Sequence, residues 1–284
     1  MSFRNIGVVG SGIMGSGVAE VAASTGAQVI VRSRSTASAD AVLSTLEKSL
    51  AKQVEKERRS ADEAEAIRQR VSVTTDLNDL AHCDLVIETV VEDLEVKKAL
   101  FRALDAVISP ATIVATCTST LAVIDLAVEM SHPERVCGVH FFNPVPAMAL
   151  VEVVRPLSAS DETISSVTEF VLACKKEPIG VKDQAGFIVN ALLFPYLNNA
   201  VRLLEGGVAT KEGIDAAMKG GCGFPMGPFA LLDLVGLDTS VAILDALYVE
   251  FAESNYAPVP LLRRMVSAGM LGRKSGAGFY QYRA

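Results

Sequence analysis

The chain has 284 residues, half of them hydrophobic and 21% charged, with 26 Lys and Arg against 33 Asp and Glu for a formal net charge of −7. So much apolar material excludes disorder and suits one large or two modest domains, and the acidic balance argues against a nucleic-acid binder, which needs a basic face. Five cysteines without CxxC spacing speak against a disulfide framework or a metal site, no apolar run reaches the length of a membrane span, and residues 1–5 lead straight into a strand pattern, so the expectation is a soluble cytoplasmic protein without a leader.

Residues 6–10 are a short apolar, β-branched run that reads as a buried parallel strand. Gly10-Ser11-Gly12-Ile13-Met14-Gly15 follows as a GxGxxG, then a helical pattern with Val18, Val21 and Ala22 on one face, then a second strand over 28–31. Strand, glycine turn, helix and strand in about 30 residues is the context a dinucleotide site demands. The first glycine permits the turn, the second lets a pyrophosphate approach the backbone, the third brings the helix onto the sheet, and the helix N-terminus offers amide N–H groups to the phosphates. Beyond the second strand stands Arg32-Ser33-Arg34-Ser35, with no carboxylate before Asp40. An acid there holds a ribose 2′-hydroxyl, whereas a hydroxyl beside guanidinium groups suits a 2′-phosphate. Ser33 and Arg34 therefore favour NADP(H), with NAD(H) the alternative if the arginines are only solvated loop charges.

Residues 40–70 read as a long helical pair carrying Ser49, Lys52, Lys56, Arg58 and Arg59, either a solvated face or a basic cluster for an anionic ligand. Strands are expected at 85–88, 112–115 and 136–140, with helical stretches at 93–108 and 121–131 between them. Such alternation predicts an open, doubly wound α/β sheet of the Rossmann type, with ligands at the carboxyl ends of the strands, where Glu88, Ser119 and His140 fall. Of three histidines, His82 and His132 lie in polar connections, while His140 ends an apolar strand. Twelve residues on, Glu152 sits inside the apolar run 149–154. A buried carboxylate needs a partner; paired with His140 it would fix the imidazole and stabilise an imidazolium, the apparatus for moving a proton on and off an alcohol. A core histidine satisfied by its neighbours is the competing reading.

At Asp183-Gln184-Ala185-Gly186 the strand pattern stops. Apolar-periodic segments at 187–205, 211–219, 228–252 and 258–269 predict an all-helical domain, so the chain is read as a Rossmann domain over 1–184 and a helical domain over 185–284.

These residues carry a resemblance that spans nearly the whole chain. The glycine loop, Val91-Glu92-Asp93 with Lys97, Thr118-Ser119, His140-Phe141-Phe142-Asn143-Pro144 followed by Glu152, Gly186-Phe187-Ile188-Val189-Asn190, Pro225-Met226-Gly227-Pro228 and Gly272-Arg273-Lys274-Ser275-Gly276 with Gly278-Phe279-Tyr280 resemble the 3-hydroxyacyl-CoA dehydrogenases, of the short bacterial 3-hydroxybutyryl-CoA type. The resemblance implies His140 as acid/base with Glu152 as its orienter. It implies Ser119 and Asn190 at the substrate oxygen, the Asn190 amide facing a ligand cleft. Glu92, Lys97, Ser119, Asn143 and Lys274 are implied at the cofactor, and Ser49, Lys52 and Lys56 at coenzyme A. It further implies a homodimer through the C-terminal helices, a CoA thioester substrate and a place in fatty-acid metabolism, with no metal. Two positions depart from the family pattern: Ser33 stands where an Asp is usual, which puts NAD preference in doubt, and Cys117 precedes Thr118-Ser119-Thr120 where an Asn is usual, which puts full activity in doubt.

The function expected is reversible oxidation of a short (S)-3-hydroxyacyl-CoA. A sugar-acid dehydrogenase without coenzyme A, and a weakly active cofactor-binding protein, remain as alternatives, the latter on Cys117 alone.

Overall fold

The computed structural model describes residues 3–282, so Met1 and Ser2, which open the segment read as leaving no room for a leader, lie outside the described residues, as do Arg283 and Ala284. The chain divides into two units, Met1–Gln184 and Ala185–Ala284.

In the first unit, runs of β-branched residues form β1 (Asn5–Val9), β2 (Gln28–Arg32), β3 (Val71–Thr74), β4 (Leu85–Glu88), β5 (Ile113–Thr116), β6 (Val136–Phe141), β7 (Leu150–Arg155) and β8 (Glu177–Lys182). They make one sheet in the order β3-β2-β1-β4-β5-β6-β7-β8. Pairing is parallel from β3 through β6, antiparallel between β6 and β7, and parallel again between β7 and β8. The order reverses between β1 and β4, which opens the crevice where ligands of doubly wound sheets bind. Strands β4, β5 and β6 are buried throughout, as expected where helices cover both faces.

The helices of this unit are α1 (Ile13–Ala23), α2 (Thr36–Glu55), α3 (Ala61–Gln69), α4 (Leu94–Asp105), α5 (Ile124–Ala127) and α6 (Asp161–Ala173). The pair expected over 40–70 is α2 and α3, separated by a capping box in which the Ser60 hydroxyl accepts from the Glu63 amide and Glu63 answers to the Ser60 amide. The helical stretch expected at 121–131 contracts to the single turn α5, whose leading amides, Val123 and Ile124, donate to the Asp183 carboxylate at 2.8 and 2.7 Å. Three elements gave no sequence signal. β3 has four residues, only one of them buried; β8 is an edge strand with Pro178 and Gly180 inside it and no fully buried residue; α6 lies between them in a stretch of mixed polarity.

The second unit is all helical: α7 (Val189–Glu205), α8 (Lys211–Cys222), α9 (Pro228–Val235), α10 (Leu237–Phe251) and α11 (Pro260–Ser267) close around Phe194, Leu197, Phe229, Leu232, Leu244 and Leu262. The continuous segment expected over 228–252 is two helices. Gly236 breaks it with φ +104°, a conformation other residues rarely adopt, and a β-carbon there would lie 3.3 Å from Lys274 Nζ. Two buried acids tie this unit to its own C-terminal segment. Asp215 accepts from the Phe229 and Ala230 amides, at the start of α9, and from the Tyr280 hydroxyl; Asp233 accepts from the Phe279 and Tyr280 amides and the Tyr282 hydroxyl.

Among the described residues no helix is long and apolar enough to cross a membrane.

Candidate active site

The glycine loop joins β1 to α1 at the reversal point of the sheet. The Gly10 amide donates to the Arg32 carbonyl at 3.0 Å, which locks the turn to the end of β2. A β-carbon on Gly15 would sit 1.9 Å from the Gly10 carbonyl oxygen, so only glycine lets α1 start so close to the turn. Gly12 is the opposite case: a β-carbon there would meet nothing within 4 Å, and the open space is what a pyrophosphate approaching bare backbone requires. The loop, including Ser11, Ile13 and Met14, lines a cavity of about 550 Å³ together with Arg32, Arg34, Val91 and Val96. These residues fit a dinucleotide.

Ser33 and the arginines divide the work at the end of β2. Ser33 is buried; its hydroxyl donates to Ser11 Oγ at 2.9 Å and lies 2.5 Å from Ser38 Oγ, so it braces the glycine loop. Arg34 is exposed at the cavity mouth, and Arg32, beside it, has a buried Nε with no hydrogen-bond partner in the protein.

At the carboxyl end of β6, the same end of the sheet as the glycine loop, β6 and β7 pair so that His140 and Glu152 are direct cross-strand partners. The imidazole Nδ1–H donates to Glu152 Oε2 at 2.6 Å, and both side chains are buried. Ionised groups in such a setting hold only with a partner, and donation from Nδ1 places the lone pair of the neutral ring on Nε2. The Phe142 ring packs against the imidazole with centroids 4.5 Å apart.

A second polar constellation joins β4, α4 and the loop after β5. Glu92 Oε1 accepts from the Thr118 hydroxyl at 2.6 Å, from the Ser119 amide at 2.8 Å and hydroxyl at 3.2 Å, and from the Thr120 amide at 3.1 Å. Burial alone would raise the Glu92 carboxyl; the Lys97 ammonium, the Thr118 hydroxyl and the two loop amides outweigh it and hold the group below the ordinary carboxylate range. Lys97 itself is fully buried, so the structure sets it behind Glu92. Cys117 lies at the head of this loop; burial pushes its thiol up to about 12, which leaves it an unreactive filler.

Ser49 and Asn143 line a smaller cavity of about 180 Å³ with Ser16 and Gly17, while Lys52 in the last turn of α2 and Lys56 at its C-cap are exposed. Sequence reasoning missed Glu20 here, buried on α1 and receiving Gln53 Nε2 at 2.5 Å; a lone acid in an alanine-rich helix was its only signal. In the second unit, Asn190 is buried in the first turn of α7, and Lys274 pairs with Asp238 at 2.6 Å. Among the described residues no cluster of His, Cys, Asp or Glu is placed to hold a metal ion.

The family model described as 3-hydroxyacyl-CoA dehydrogenase, NAD binding domain, matches residues 5–184, and that of the 3-hydroxyacyl-CoA dehydrogenase C-terminal domain matches residues 186–282. The chain is 44% identical over 277 residues to a 3-hydroxybutyryl-CoA dehydrogenase of Clostridioides difficile, covering 98% of this chain and 99% of that protein. Among solved structures it is similar to Mycobacterium tuberculosis FadB2 (TM-score 0.97, 44% identity, both chains covered completely). It is equally similar to the (S)-3-hydroxybutyryl-CoA dehydrogenase PaaH1 of Ralstonia eutropha (TM-score 0.97, 40% identity, both chains covered completely).

Proposed function

Given that the chain belongs to the 3-hydroxyacyl-CoA dehydrogenase family and is an oxidoreductase with an NAD-binding domain, we propose that it interconverts (S)-3-hydroxybutyryl-CoA and acetoacetyl-CoA with His140 as the acid/base. The observation that carries this reading is the buried 2.6 Å pair of His140 and Glu152 at the ligand end of a dinucleotide-binding sheet. The bound nicotinamide supplies or accepts the hydride. The chain's own residues handle the proton: in oxidation, neutral His140 takes the hydroxyl proton on Nε2, and Glu152 stabilises the resulting imidazolium through Nδ1–H. In reduction the same ring, protonated, returns the proton to the 3-oxygen. Ser119 is assigned to orienting that oxygen, with Glu92 fixing its loop, and Asn190 of the helical unit is assigned to the substrate by the family resemblance. Asn143 and Lys274 are assigned to the cofactor. Ser49, Lys52 and Lys56 are assigned to coenzyme A, whose phosphates suit the exposed ammonium groups of α2.

The cofactor assigned is NADP(H). Support comes from the absence of a carboxylate among residues 33–35 and from two arginines at the cavity beside the glycine loop. Arg34, at the mouth, is placed on the 2′-phosphate. The assembly assigned is a homodimer through the helical unit, supported by large apolar side chains exposed on it, Leu192 and Val249 among them.

One assay tests the substrate and the cofactor together: kcat/KM for NADPH and NADH with acetoacetyl-CoA, for the wild type and for the Ser33→Asp, Arg34→Ala double variant. A charge-assisted hydrogen bond is worth about 1.5–3 kcal/mol, so the wild type should prefer NADPH by roughly ten- to a hundredfold and the variant should swing toward NADH. A wild-type preference for NADH overturns the cofactor assignment; no turnover of acetoacetyl-CoA with either cofactor overturns the substrate.

A further inference from the structure

Glu88, the last residue of β4, is fully buried, and no step above uses it. Its carboxylate is saturated: it accepts from the Val90 amide at 2.6 Å, from Lys97 Nζ at 2.7 and 2.8 Å, and from the Thr116 hydroxyl at 2.7 Å. The Lys97 ammonium, equally buried, continues to Glu92 Oε2 at 3.4 Å, and the Glu92 side chain is the only one of the three with solvent exposure, at 34%. From there the contacts run through Glu92 Oε1 to the Thr118 hydroxyl and to both the amide and the hydroxyl of Ser119.

One buried cation thus stands between two carboxylates. The formal charges of Glu88 and Lys97 cancel in the interior, and the single residual negative charge falls on Glu92, at the surface of the crevice. A buried ion pair is a poor stabiliser compared with apolar side chains of the same volume. Here it joins β4, α4 and β5 to one carboxylate beside the candidate site. We infer that Glu88 and Lys97 are a positioning pair that holds Glu92 against the Ser119 loop and limits the charge at the nicotinamide end of the site to one negative unit. This rests on the cofactor role that the family resemblance implies for Glu92, taken here to lie at the nicotinamide end.

The consequence is electrostatic. An oxidised nicotinamide ring carries a positive charge and a reduced ring carries none, so a single negative charge beside it binds the oxidised form preferentially. Glu88→Gln keeps the size of the side chain and removes one charge, leaving the cluster formally neutral. The ratio of dissociation constants, oxidised over reduced, measured for NAD+ against NADH and for NADP+ against NADPH, should rise roughly tenfold. Adding Lys97→Met restores the net charge of −1 on Glu92 alone. The double variant should therefore return the ratio to within about twofold of wild type, while kcat with acetoacetyl-CoA stays down about tenfold and KM moves little, because Glu92 has lost its tether.

A role in stability alone would not lower the ratio again when a second buried group is removed. The inference is overturned if Glu88→Gln leaves the ratio unchanged, if the double variant keeps the ratio of the single one, or if its kcat stays within about twofold of wild type. Should Glu88→Gln fail to fold, the double variant still decides through kcat, since replacing both members of a buried pair by neutral side chains of similar volume is tolerated. Glu92→Gln separates this inference from the reading beneath it. If Glu92→Gln leaves the ratio unchanged, Glu92 does not face the nicotinamide and both fall; if it shifts the ratio while Glu88→Gln does not, only the positioning pair falls.

Discussion

Two pairs of buried acids, one pair in each unit, sit in opposite kinds of setting. In the helical unit, Asp215 and Asp233 are surrounded by backbone amides and tyrosine hydroxyls, donors that do not change charge near neutral pH. In the nucleotide unit, Glu152 faces an imidazole and Glu88 faces an ammonium group. A carboxylate whose donors are fixed dipoles clamps chain to chain; one whose donor can gain or lose a proton can take part in chemistry. The nature of the donor, more than burial, separates structural acids from functional ones.

Substitution on the two sides of this comparison should give opposite signatures. The largest effect is expected for His140→Gln, with kcat down about 10²–10⁴-fold, while cofactor dissociation constants stay nearly unchanged, since the ring is remote in sequence and role from the glycine loop. A variant retaining more than roughly a tenth of wild-type kcat would remove His140 from the proton path. Asp233→Ala should do the reverse. It strands two amides and a tyrosine hydroxyl, at about 1–3 kcal/mol for each group left without water, so the thermal midpoint should drop by about 10 °C. Molecules still folded should turn over at close to the normal rate; an unchanged midpoint would show that the clamp is dispensable. The smallest effect concerns acid. The Glu92 carboxyl is held below its ordinary value of 4.5, so the stabilisation it provides is fully present above that pH and is lost as pH falls through the depressed value. The stability gap between wild type and Glu92→Gln, from urea unfolding, should therefore narrow as pH falls below about 5.5; a gap that widens on acidification would contradict the direction of the shift.

What could be read from sequence follows the same physics. Strands buried on both faces, such as β4 and β6, announce themselves as unbroken apolar runs, and a charged residue inside or just after one, such as Glu152 or His140, stands out at once. The edge strands β3 and β8 lack that contrast, and the turn at Gly236 was hidden because the apolar period continues across it. The pairing of His140 with Glu152 was legible because both lie on adjacent strands only twelve residues apart. The web around Glu88 was not, because its partners come from the turn after β4, from α4 and from β5, up to 28 residues away, and meet only when the β4–α4–β5 crossover is in place. Ser33 shows a different limit: its type was plain, but not that its hydroxyl would turn to the Ser11 side chain.

The antiparallel joint between β6 and β7 also governs which changes in length the enzyme tolerates. His140 meets Glu152 because the ladder pairs Gly138 with Val154, Val139 with Val153 and Phe141 with Val151 on either side of them. The ladder fixes the pair, whereas Phe142 and Asn143, just past β6, depend on the connecting loop as well. A single residue inserted within either strand turns every following side chain to the opposite face of the sheet, exchanging a carboxylate for a valine opposite the histidine. The His140–Glu152 pair is thus encoded as a parity along two strands: the count of residues inside each strand decides whether a carboxylate or a valine stands opposite the imidazole.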